Sequence, residues 1–272
     1  MNRRLAPSWA PLPRPDGAVV RIGHERLRLG PNEVHAWILR ADGRVVDLGI
    51  SHNLLTNIGR DWLSNAIGGA IPAGGSGSPA TATSATSITA TATPWTASNF
   101  ATPQLGLAGL RVYAPITGLT TAPVYGNIGG NTTSVATIDQ WWTAADGTGT
   151  TPASTNGFII GAGGPASARF IALTTDSGAA SATDTALPTE ITTGGVARAL
   201  ATYAHTYGAS TMTLQKAFSV TSSFTAIHKA GILTCSTATA AGILAWETVL
   251  NQDATVGNGD TLTVTWTLTI SG

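Results

Sequence analysis

The sequence predicts a mainly β protein: an antiparallel β-sandwich or jelly-roll-like domain with one short helix, an extended N-terminal arm and a β-rich insertion. Three observations carry this. Residues 261–270 alternate without a break, with Thr at 261, 263, 265, 267 and 269 and Leu262, Val264, Trp266, Leu268 and Ile270 between them. Successive strand side chains point to opposite faces, so this is a strand with a dry apolar face and a wet Thr face. Short strand-like runs with turn signals between them fill the last hundred residues. Charged residues are only 10% of the 272, against about 25% in typical domains.

In chain order, residues 1–30 are read as the arm. Pro7, Pro11, Pro13 and Pro15 fix φ and remove donors, which favours extended polyproline-like backbone. Such a segment does not fold alone. Arg3, Arg4, Trp9 and Arg14 are its candidate contacts with a neighbouring subunit; the alternative is that the arm packs along its own domain. Residues 31–69 together with 168–272 form the expected core. Here Glu33–Arg40 and Arg44–Leu48 flank Asp42-Gly43, a hairpin signal in which both central residues tolerate positive φ. A helix follows, capped by Asn53 or Thr56, with Leu55, Ile58, Trp62, Ala66 and Ile67 at helical spacing and Gly68-Gly69 as its stop. At about three turns it is too short to stand alone and should lie on the sheet.

Residues 70–167 are read as a Thr/Ala/Gly-rich insertion with loops and short strands. Up to about residue 98 it is a loop or a poor edge strand, because Ala and Thr lack the bulk to pin a register. Strands are expected at 109–113 and 133–138. Residues 141–149 read as a turn carrying exposed aromatics, so Trp141 and Trp142, with Trp95, are candidate contacts for a sugar or a partner subunit. The alternative is that they cap the core of the insertion. Further strands are expected at 169–174, 196–207, 211–221, 225–234, 243–250 and 261–270.

Composition narrows function. Net charge is zero, which removes the repulsion that keeps monomers apart, so the chain should self-associate or be covered by neighbours. Twelve of the fourteen cations are Arg, and eight of these precede residue 45 with four acids. That mild asymmetry lacks the dense basic stripe of a nucleic-acid binder. No apolar run reaches the roughly 18 residues of a membrane span, and no apolar stretch follows Arg3 and Arg4 as in a secretory signal. The single cysteine, Cys235, excludes an internal disulfide framework and a multi-Cys metal site, and reads as a small core residue.

No pattern of catalytic chemistry stands out, and the expectation is a non-enzymatic chain without cofactor or metal. His24, His35, His52, His205 and His228 show no metal-ligand spacing; His205 and His228 read as hydrogen-bonded strand residues. Asp139 with Asp146, or Glu190 with Glu247, could meet as a carboxylate pair only through the fold. Gly-x-Ser-x-Gly is absent, the Gly-rich stretches lack the Lys-Ser/Thr of a phosphate loop, and Gly161–Gly164 is an incomplete dinucleotide fingerprint.

Two stretches carry a resemblance. The first runs Gly43-Arg44-Val45-Val46 to Asn53-Leu54-Leu55-Thr56-Asn57-Ile58-Gly59-Arg60-Asp61-Trp62-Leu63. The second begins at Phe170-Ile171-Ala172-Leu173-Thr174 and passes through Asp184–Ile191 and Ala197-Arg198-Ala199. It ends at Gly259-Asp260-Thr261 to Thr267. In this order they resemble tailed-bacteriophage virion proteins of the head-decoration or tail-fibre type, over about 34–69 and 168–272. The resemblance implies a non-enzymatic, β-rich virion component. Within it the arm, the neutral surface and the short-strand core favour a capsid decoration (cement) protein on the virion surface, bound to the major capsid protein and to copies of itself, commonly as a homotrimer. The alternative is a tail-fibre or receptor-binding module contacting host glycan. Within this frame Glu190 and Arg198 are expected to pair, partly exposed, and Asp260 to serve a turn.

Overall fold

A computed structural model describes residues 10–13, 19–22, 28–29, 33–60, 63, 76–77, 82–89, 108–114, 124–132, 135–152, 158–165, 167–239 and 242–271. Strand β20 (Thr261–Ser271) sits between β17 (Thr211–Ser219) and β4 (Glu33–Leu39). Its apolar residues Leu262, Val264, Trp266 and Leu268 are all buried on one face. The sheet is completed by β16 (Thr202–His205) beside β17, β5 (Val45–His52) beside β4, and β3 (Arg28–Leu29), which pairs with the end of β20. All ladders are antiparallel.

A second sheet runs in the order β15 (Ala199–Leu200), β14 (Phe170–Thr174), β18 (Phe224–Leu233), β19 (Leu244–Val256) and β6 (Leu54–Leu55). Val34, Ile38, Leu214, Phe218, Val264 and Trp266 of the first sheet form one buried cluster with Ile171, Leu173, Ile227, Ile232, Trp246 and Leu250 of the second. This is sheet-on-sheet packing, in which two apolar faces exclude water from one layer. β14 is buried at every residue: Ile171 and Leu173 face that core, while Ala172 joins a smaller cluster with Ile58, Leu187, Leu233 and Leu244 on the other side.

Besides the loops that cross from β17 to β18 and from β19 to β20, two extended runs break and switch sheets. The strand expected over 196–207 breaks at Ala201, so that β15 pairs with β14 and β16 with β17. The same happens at Asn53, between β5 in the first sheet and β6 in the second. The strand expected at 243–250 continues to Val256, with register shifts against β18; bulges of this kind bend a long strand around a sandwich.

At the β4–β5 hairpin only Gly43 takes positive φ (+84°), where both turn residues were expected to tolerate it. Gly43 N donates to Arg40 O (2.9 Å), and Asp42 Oδ1 instead accepts from Arg44 N (2.9 Å). That is the longer hairpin loop, in which a type I turn is closed by one left-handed glycine. Thr56 proves to be the helix cap: its Oγ1 accepts from Gly59 N (2.9 Å) and donates to Leu244 O. Asn57–Arg60 and Leu63 are helical, and the expected Gly68-Gly69 stop lies outside the described residues. Gly59 is required by close approach, because a Cβ there would stand 2.1 Å from Ala245 O on β19.

The third sheet is drawn from residues 76–165. Its order is β7 (Ser76–Gly77), β13 (Phe158–Pro165), β10 (Leu110–Ala114), β11 (Val124–Asn131), β12 (Val135–Trp142), β9 (Ser87–Thr89) and β8 (Ala82–Thr83). Among the described residues the Ala/Thr-rich stretch supplies two- and three-residue pieces at the edges. The sheet has its own core of Ile88, Leu110, Val112, Ile128, Ile138, Trp141 and Phe158. In the arm, β1 (Ala10–Pro13) pairs antiparallel with β2 (Val19–Ile22). Those eight residues form a ladder, where extended polyproline-like backbone was expected.

Candidate functional site

The third sheet meets the sandwich through an aromatic and ionic joint. Trp142 lies between Tyr125 (ring centroids 6.4 Å, nearly parallel) and Phe170 of β14 (5.6 Å). Trp141 and Trp142 are therefore not exposed aromatics of a turn. They are 2% and 6% exposed, because β12 runs on through both, pairing Tyr125 with Trp142 and Gly126 with Trp141. The turn starts only at Thr143. Trp141 Nε1 donates to Ser84 O (2.8 Å). Neither indole presents a face for a sugar or partner. Trp95, Arg3, Arg4, Trp9 and Arg14 lie outside the described residues.

Asp139 organises the joint. Its carboxylate accepts from Asn127 N (3.1 Å), Asn127 Nδ2 (3.0 Å), Gln140 N (2.8 Å), Trp142 Nε1 (3.1 Å) and Ser236 N (2.9 Å). The last bond ties the insertion to the segment between β18 and β19. A buried carboxylate is tolerable only when donors replace water in this way. Asp146, at a left-handed φ of 61°, accepts from Tyr125 OH (2.7 Å) and Arg169 Nη1 (2.9 Å). Burial opposes ionisation of Asp146, but those two hydrogen bonds outweigh it and hold its carboxyl below the usual range. Burial pushes the Tyr125 hydroxyl up. Arg111 stacks over the Tyr125 ring at 4.4 Å. Asp139 and Asp146 are thus engaged separately, each by its own donors.

Glu190 and Arg198 do pair, in a bidentate fork (Nε–Oε1 2.9 Å, Nη2–Oε2 2.5 Å). The expected partial exposure is not found: the side chains are 4% and 8% exposed for Arg198 and Glu190. Arg198 also donates to Cys235 O and Thr237 O, so the pair pins the 235–239 segment and lines an open cleft of about 230 Å³ with Thr192 and Thr239. Cys235 is wholly buried, and burial pushes its thiol far up, as for an inert core residue. Asp260 serves the turn as expected. It accepts from Gly257 N (2.8 Å), Arg40 Nη1 (2.7 Å) and Ala41 N (3.0 Å), and the Gly257 bond leads in holding its carboxyl low. His205 Nδ1 is 2.9 Å from Thr211 O, and His228 Nδ1 is 2.6 Å from Asp253. Among the described residues no three His, Cys, Asp or Glu side chains converge as metal ligands.

The outward face of the first sheet carries exposed aliphatic side chains. Across it the register aligns Gln215, Thr265, His35 and Ile50 in one row and Ala217, Thr263, Trp37 and Asp47 in the next. The Thr face of β20 is half-buried rather than wet: Thr263, paired with Trp37, is 2% exposed. Leu39, Val45 and Ile50 are exposed beside it, and Asp47 is engaged by His35 (2.8 Å). At one end the β16–β17 hairpin carries a fully exposed Tyr207. No protein-family model, curated protein or solved structure matches the chain.

Proposed function

We propose that the chain is a structural component of a tailed-phage virion, a capsid decoration protein seated on the major capsid lattice and on copies of itself. The observation that carries the reading is the outward face of the first sheet: exposed Leu39, Val45 and Ile50 beside a Thr ladder and the half-buried Trp37. Large apolar exposure with little charge is a liability in a free monomer and an asset in a lattice. The polar groups below the surface support it too. Asp139, Asp146 and the Glu190–Arg198 fork are committed to holding segments together.

The tail-fibre alternative loses its aromatic platform at Trp141 and Trp142. Among the described residues it keeps the exposed Tyr203 and Tyr207 of the β16–β17 hairpin. Copy number per purified particle, from quantitative mass spectrometry, tests the proposal. Hundreds of copies support decoration, a few dozen or fewer support a fibre, and absence from particles sinks both.

A further inference from the structure

Lys229 on β18 is 1% exposed, yet its ammonium lies in a protein interior. Its Nζ stands 2.6 Å from Asp176 Oδ2 and 3.4 Å from Oε1 of Glu247, itself 0% exposed. The three come from neighbouring strands. Thr174, at the end of β14, pairs with Lys229, and Asp176 follows two residues on. Glu247 on β19 pairs with Gly231, two residues from Lys229 and on its face of β18. Asp176 is fixed at its start, since its N–H donates to Thr174 Oγ1 (3.0 Å) and that hydroxyl is held by Pro188 O. Glu247 Oε2 finds no donor among the described residues.

We propose that Lys229 and Asp176 join in a spontaneous intramolecular amide bond, with Glu247 carrying a proton. Lysine amines are competent nucleophiles once a neighbour takes their proton; Nζ is shut from water, while the Asp176 side chain is 29% exposed on its outer side. Fixed proximity replaces the concentration that such a condensation lacks in water. At rest the two are an ion pair. Burial works against the Lys229 charge, but Asp176 more than offsets it, and the Lys229 hydrogen bond holds Asp176 low. Reaction therefore starts with a proton passing from Nζ to Asp176 Oδ2, 2.6 Å away, which leaves a neutral amine facing a neutral acid. Burial first, and then the facing carboxyl of Asp184, push Glu247 up to about 7 against the pull of Lys229, so it can take a proton and return it near neutral pH. The Nζ lone pair attacks Asp176 Cγ, and the Cγ–Oδ2 bond breaks. Of the three ammonium protons, one stays on the amide nitrogen. The other two leave with the carboxylate oxygen as water, and Glu247 ends as it began. His228, the other charge-bearing neighbour of Asp176, is occupied by Asp253.

Mass spectrometry of the purified full chain tests this. The intact mass should fall short of the sequence mass by one water, allowing for removal of Met1. Trypsin should release the peptide 170–198 joined to 217–272, with no cleavage after Lys229. Lys229→Arg should lose the link completely, and Glu247→Gln should slow its formation by about 100-fold or more. A wild-type mass equal to the sequence, or a water deficit mapped to any other peptide, overturns the proposal. That reading does not depend on whether either variant folds.

Discussion

Replacing Asp139 by Ala should be among the most damaging single changes in the insertion. The carboxylate is 2% exposed and accepts from five donors. Gln140 N lies on a half-buried residue and can turn to water. The other four are left without an acceptor in or near the core. Each orphaned buried donor costs about 1–3 kcal/mol, and relaxation and water entry place the total near the low end, at about 3–5 kcal/mol. This is a large share of the roughly 5–15 kcal/mol that holds a domain folded. Asp139→Asn keeps the shape but turns an amide NH2 toward donors, for a loss of about 2 kcal/mol. Urea unfolding followed by tryptophan fluorescence reads both, since Trp142 is one of the partners. Limited proteolysis should cut the Asp139→Ala variant first between residues 108 and 165, because the Ser236 bond to the sandwich is gone. A loss under about 1 kcal/mol for the alanine variant would refute the view that this carboxylate organises the joint.

Three further outcomes are expected. Arg198→Ala leaves Glu190 buried without its fork and should cost about 3–5 kcal/mol, while replacing both residues by apolar ones should cost less; a double-mutant cycle in urea checks this. Gly59→Ala would place a methyl group 2.1 Å from Ala245 O, and since backbone cannot yield as a side chain does, the loss should be about 2 kcal/mol or more by thermal unfolding. Folded Glu247 keeps its proton up to about 7, against an ordinary value of 4.5. The unfolded chain releases that proton first, so this contribution is present at low pH, declines as pH rises from about 4.5 to 7, and then levels. Thermal midpoints should therefore drop between pH 5 and 8, and a flat profile would contradict the burial of that carboxyl.

The strands were legible where side-chain alternation is strict and bulky. β20, β17 and β14 fall within a residue or two of their expected bounds. Local pattern could not show where a strand changes partner. The break at Ala201 is set by which sheet lies alongside, not by its neighbours in sequence. Trp141 and Trp142 misled because Thr, Ala, Asp and Gly follow them, and those turn residues begin only at 143. A signal was present upstream. Asp139 is one of three charges between residues 70 and 168 and sits within an alternating strand beside two tryptophans. A lone charge in that setting has to be met by buried donors. The Lys229–Asp176–Glu247 cluster left no such trace, because its members are 18 to 71 positions apart and are brought together only by the β14–β18–β19 ladder.

Scarcity of charge and burial of charge are linked in this molecule. Of the acids on described residues, Asp139, Asp146, Asp176, Glu190, Glu247 and Asp260 are all engaged by donors or cations from other segments of the chain. Many of the ions that would keep an ordinary domain apart from its copies are here spent on internal joints, and the outward face of the first sheet carries mainly Thr and aliphatic side chains around the one His35–Asp47 pair. Such a surface gains little from solvent repulsion and is suited to contact with another protein surface. This yields a directional test. Placing Lys at Thr265 or Ile50, in the middle of the outward face, adds charge without touching the core. It should leave the folding stability within about 1 kcal/mol of the parent while abolishing self-association or particle binding. If such a variant assembles as well as the parent, the outward face is not the contact surface, and the docking role moves to the arm or to the β16–β17 hairpin.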